Sequence, residues 1–126
     1  KVKVVKSMGL ICGQSGAPRQ MQALALEAGS KLIEAWEDCD RQDHERRMAL
    51  VRSIGRIASN EALNAEDQRV QDFRERALGA LFSALRDGMR AAYDPLDWLR
   101  HCSALPEERR EEINERLGKA FGLQRA

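Results

Sequence analysis

A histidine and a cysteine stand side by side at positions 101 and 102, the one place in this chain where a base adjoins a thiol. Such a pair could supply a nucleophile with its base, or two ligands for a metal. Neighbouring residues on a helix, however, point about 100° apart and cannot converge on one atom without help from elsewhere. The other candidates, Cys39 and His44, are distant in sequence and complete no C-x-x-C or H-x-x-x-H spacing. A buried structural Cys102 with a boundary His101 is therefore the expectation. An enzyme with its site near His101 and Cys102 is the least favoured class, and no metal or cofactor is expected. Asp40 and His44, one turn apart, could chelate, but Arg41, Glu45 and Arg46 beside them fit a solvated charged face better.

Residues 9–20, GLICGQSGAPRQ, offer a glycine-rich loop ahead of a helix N-terminus, where backbone N–H groups can cradle a phosphate. The Gly-Lys-Ser/Thr of a phosphate-binding loop is missing, and no G-x-G-x-x-G between strands is present. A flexible lead-in to a helix is the plainer reading.

The arginines carry more signal. Arg46, Arg47, Arg52 and Arg56 lie in a stretch from 46 to 60 that contains no acid. Two readings compete. In one, the arginines pair within the fold with the acidic first helix, through Glu34, Glu37 or Asp38. In the other, Arg46, Arg52 and Arg56 are partner-binding residues that grip carboxylates or phosphates. Arg52 and Arg56 suit the second role best, because only small residues (Ala49, Ser53, Ser59) surround them and no acid appears at i±4 before Glu61.

These groups must be carried by helices. Hydrophobic residues make up 43% of 126 residues and charged residues 33%, the balance of one soluble domain with one modest core. Ala, Leu, Arg and Glu dominate, and all favour helix. Met21, Ala25, Ala28, Leu32, Ala35 and Cys39 alternate at spacings of four and three, predicting a first helix from near Pro18, with a bend at Gly29–Ser30. A second helix is predicted from Asp43 to Ala62, with an apolar face wide enough to touch several neighbours. A third, from an Asn64 cap to Tyr93, would be about 42 Å long and form the spine.

The stretch YDPLDWLRHC, residues 93–102, reads as a helix start: Asp94 as cap, Pro95 at the first helical position, Tyr93 and Trp98 as a hydrophobic staple. A fifth helix begins at Pro106 and ends at Gly122. Its first turn carries Glu107 and Glu108, the wrong sign for a DNA-reading helix. Only KVKVV, residues 1–5, resembles a strand, and it has no partner in the chain.

The expected architecture is all-α: an extended N-terminal arm over residues 1–16 and a bundle of four to five amphipathic helices over 17–126. The expected function is a non-enzymatic protein-interaction module, such as a small adaptor, chaperone-like factor, anti-activator or effector domain. The alternative is a nucleic-acid or phosphate binder using Lys1, Lys3, Lys6, Arg19 and the second-helix arginines. Net charge is only +1, which does not favour a broad nucleic-acid face. The partner is expected to be another protein, with a homodimer formed to cover surplus apolar surface. Three scattered cysteines and the lack of any apolar run of about 20 residues point to a cytoplasmic protein without a transmembrane segment. The Ala- and Arg-rich style suggests a high-GC bacterial genome.

Overall fold

Helical periodicity governs the chain wherever its residues are described, from 19 to 121, in this computed structural model. Five α-helices follow one another: α1 (Arg19–Asp38), α2 (His44–Ala58), α3 (Gln68–Arg86), α4 (Tyr93–Arg100) and α5 (Glu107–Phe121). A short 3-10 turn, Arg90–Ala92, leads into α4. The fold is an all-α bundle, and among the described residues there is no strand. Residues 1–18, including KVKVV and the glycine-rich lead-in, and the Gly122 cap lie outside the described residues.

α2 and α3 share the centre of the bundle. α2 touches α1, α3, α4 and the 3-10 turn, as its wide apolar face requires, and α3 touches α1, α2, α4, α5 and the 3-10 turn. Leu50, Val51, Ile54 and Ile57 of α2 are fully buried, and the core continues through Leu81, Leu96, Leu99, Ile113 and Leu117. A helix at the centre must be apolar on several sides, and in α3 Leu78, Ala80, Phe82 and Leu85 are buried beside the stripe through Val70, Phe73, Ala77, Leu81 and Ala84.

Glycine permits close approach at two places. α1 continues without interruption through Gly29, where a methyl group would lie 2.5 Å from Cε1 of Phe73. Gly29 therefore makes room for a ring. At Gly55 of α2 an added Cβ would overlap the Cβ of Pro95 on α4, so the missing side chain lets these two helices meet.

Helix ends are set by polar side chains, not always the expected ones. Asp43 caps α2, its carboxylate accepting from the Arg46 N–H at 3.2 Å. The helix stops at Ala58, short of Ala62, because the Asn60 side chain accepts from the Ala62 N–H at 3.0 Å and turns the chain. α3 begins after Asp67, not Asn64. Asp67 accepts from the Arg69 N–H at 2.9 Å, while Asn64 shapes the preceding turn by accepting from Glu66 N–H at 3.0 Å.

Gly88, at φ 82°, ends α3 in a left-handed turn. Its N–H donates to Leu85 at 3.0 Å and the Met89 N–H donates to Ala84 at 3.1 Å, the Schellman pattern. The predicted 42 Å spine is therefore broken: α3 has 19 residues, about 28 Å. The 3-10 turn that follows brings the chain into helical geometry early, so α4 starts at Tyr93 with Ala92 at its cap position and no side-chain cap bond. Asp94 is thus inside the first turn and is not the cap. Pro95 is tolerated there because first-turn N–H groups have no helical partner to lose.

Leu24 and Met48 are the large hydrophobics left exposed among the described residues. The other large apolar side chains of the described residues are buried or half-buried within the chain. No helix of the described residues is long and apolar enough to cross a membrane.

Candidate functional site

The four second-helix arginines separate into different environments. Arg47 sits at about the same angle as Ile54 and Ala58 around α2, in the middle of the apolar face. It is only 7% exposed, donates to Asp87 Oδ2 at 2.9 Å, and stacks over Trp36 with its carbon 4.5 Å from the ring centre. Arg41 approaches the same Asp87 oxygen at 3.8 Å. Arg47 thereby ties α2 to α1 and to the turn after α3.

Arg52 and Arg56 occupy the outer side of α2, facing α4. Arg52 is half exposed and lies 3.9 Å from Asp94, whose side chain is exposed as well. Arg56 stands over Trp98 at 5.9 Å, and both are partly exposed. Arg46 is half-buried and lies about 80° around the helix from Arg56, with buried Ala49 and Ser53 between them. The structure brings Arg52 and Arg56 together with Trp98 and leaves Arg46 apart. Glu34, Glu37 and Asp38 of α1 are exposed and pair with none of these arginines among the described residues; the acids that do so are Asp87 and Asp94.

A fifth arginine escaped the sequence reading. Arg74 of α3 is 3% exposed, its Nε donating to the Ala58 carbonyl and its Nη2 to the Asn60 carbonyl, both at 2.8 Å. It satisfies the open end of α2, where carbonyls lack helical partners, and its positive charge meets the negative end of the helix dipole. Burial lowers its pKa, and the nearby Cys102 and Glu61 oppose that shift. Glu61 also accepts from the Ser103 N–H at 3.0 Å, joining the end of α2 to the loop after α4. The signal was there: Arg74 falls between Leu81 and Leu85 on the helical wheel, on the apolar stripe of α3.

His101 and Cys102 diverge. Cys102 is 2% exposed and faces the core. The exposed His101 ring bonds back to the Asp97 carbonyl at 2.9 Å. Asp40 accepts from the Gln42 N–H at 2.9 Å, closing the turn before α2. Among the described residues no three of His, Cys, Asp and Glu gather as metal ligands would.

On the opposite pairing, α3 with α5, a chain of charges crosses the surface. Glu75 accepts from Arg109 Nε at 2.9 Å, and Arg109 Nη1 donates to Glu112 at 3.1 Å. Arg116 in turn donates to Glu112 at 3.1 and 3.3 Å and covers the Phe82 ring at 4.3 Å. The hydrogen bond to Glu75 raises the Arg109 pKa, with Glu112 adding to the effect. Beyond Arg116 the surface opens into a groove of about 320 Å³ lined by Phe82, Leu85, Arg86, Arg116, Lys119 and Ala120. Nothing in the one-dimensional pattern indicates this groove, because its two walls are about 30 residues apart.

The class of protein defined by this architecture is a small all-α helical bundle with arginine-rich outer faces. Compared with protein-family models, with curated proteins and with solved structures, the chain matches none.

Proposed function

We propose that this chain is a non-enzymatic protein-interaction module that docks an acidic partner on the α2–α4 face. One observation carries the reading: Arg52 and Arg56 stand one turn apart on the outer side of α2, with Trp98 beside Arg56. Arginine and tryptophan are the residue types that contribute most at protein interfaces, by bidentate pairing and by burying a large rigid surface. Their scaffold is stiff, since α2 is held on its other sides by α1, α3 and Arg74. Asp94 lies near enough to Arg52 to hold it loosely, and a partner carboxylate with better geometry would displace it.

Paired affinity capture with the wild-type chain and the Arg52→Glu, Arg56→Glu double variant tests this, with nuclease present throughout. An acidic protein retained by the wild type and lost by a variant of unchanged melting temperature is the expected result. Capture of the same proteins by both excludes this face. Duplex DNA or RNA binding that weakens steeply with salt would instead favour the nucleic-acid alternative, in which Lys1, Lys3, Lys6 and Arg19 join the α2 arginines.

A further inference from the structure

We propose that the groove between the C-terminal halves of α3 and α5 is a second docking site, shaped for an acidic amphipathic helix of a partner protein. The inference rests on the protein-interaction reading and adds the element by which such a partner is gripped. The groove has an apolar floor and a basic rim. Phe82, Leu85 and Ala120 form the floor; Arg86, Arg116 and Lys119 stand around it. At about 320 Å³ it is at the small end for an enclosed small-molecule site, and it suits one or two apolar side chains inserted from a helix lying between α3 and α5.

Charge decides the occupant. Arg116 is already neutralised by Glu112, and its stacking on Phe82 fixes the plane of the guanidinium, so it enters a complex without further ordering. Arg86 and Lys119 are exposed, and among the described residues neither is paired with a carboxylate. Of the acids nearest in sequence, Asp87 is engaged by Arg47, and Glu115, one turn before Lys119 on α5, is exposed and makes no ion pair among the described residues. The charged side chains that line the groove are all basic, so its rim is net positive beside an apolar floor. Residues 1–18 of the same chain carry three lysines and no acid, the wrong sign to fill it. A helix with leucines on one face and glutamates flanking them matches both features.

The probe is a synthetic peptide of about 16 residues, long enough to hold helical structure, with leucines spaced i, i+3, i+4, i+7 and glutamates on either side. Titrated into the isotopically labelled full chain, it should shift the backbone amides of residues 82–86 and 116–120. Affinity should fall by at least about tenfold in the Arg86→Glu, Lys119→Glu variant and in a twin peptide with lysine for glutamate. It should be unchanged in the Arg52→Glu, Arg56→Glu variant, whose own loss of partners concerns the other face. Shifts elsewhere, equal affinity in the rim variant, or no binding would overturn the groove assignment and leave the α2–α4 reading standing. Vesicles rich in phosphatidylserine provide the last arm: binding them through the same residues while ignoring the peptide would replace the protein occupant with a lipid surface.

Discussion

Two pairs of arginines in this bundle have opposite fates. Arg47 and Arg74 are buried, each bonded at 2.8–2.9 Å to acceptors on another element. Arg52 and Arg56 carry the same group one or two turns along the same helix as Arg47, but they meet only an exposed carboxylate at 3.9 Å and a ring at 5.9 Å. The buried pair is consumed by the fold, because an unpaired guanidinium in the interior would be prohibitively costly. The outer pair loses little by changing partners, since water already competes for both contacts. An arginine available for recognition is thus one whose internal contacts are weak, and an acid-free stretch of sequence does not distinguish the two kinds.

Substitutions can break this contrast. The largest effect is expected at Arg74. Arg74→Ala leaves the carbonyls of Ala58 and Asn60 buried without donors and opens a cavity, and should cost about 3 kcal/mol by denaturant unfolding. Arg74→Lys should recover only part, since an ammonium cannot reproduce the planar fork. A loss under about 1 kcal/mol for Arg74→Ala would mean that the end of α2 is satisfied by water and that burial does not separate the two pairs.

Arg47→Ala comes next. It removes one short ion pair and one cation–π contact, and should destabilise by roughly 1–2 kcal/mol. Trp36→Leu combined with it in a double-mutant cycle would isolate the stacking contribution. The smallest effects belong to the outer face. Arg52→Ala and Asp94→Ala should each leave stability within about 0.5 kcal/mol of wild type, because their pair is exposed and long. An Asp94→Ala cost near 1 kcal/mol would restore the helix-capping role that the 3-10 turn denies it. If Asp94 also restrains Arg52, its removal should tighten binding of the captured acidic partner while melting is unchanged.

Sequence and structure agree best where one physical rule acts alone. The Asp43 boundary of α2 and the start of α5 were legible, because apolar periodicity and a turn residue coincide there. Agreement fails where two signals of equal strength compete. Asn64 and Asp67 are both good caps. The choice falls on Asp67, to which Gln22 of α1 donates at 3.1 Å while its Oε1 accepts from the Asn64 N–H at 2.8 Å. Apolar spacing continues unbroken past Gly88, so the end of α3 was invisible to periodicity, although glycine after a helix is itself a stop signal. Apolar periodicity likewise does not show that Gly29 and Gly55 are the contact surfaces for Phe73 and Pro95.

What the sequence determined by itself was the helical class and most of the buried stripe, since these depend on neighbours three and four residues apart along one helix. It also placed the exposed Arg52 and Arg56 opposite that stripe. The tertiary structure alone decided which arginines the core would take in, which acids would face them, and that α3 and α5 would leave a basic-rimmed groove between them. Those outcomes depend on groups brought together from 14 to 46 positions apart, as for Arg74 with the Asn60 carbonyl and Arg76 with Ser30. A one-dimensional pattern carries no information about such distances until the helices have packed.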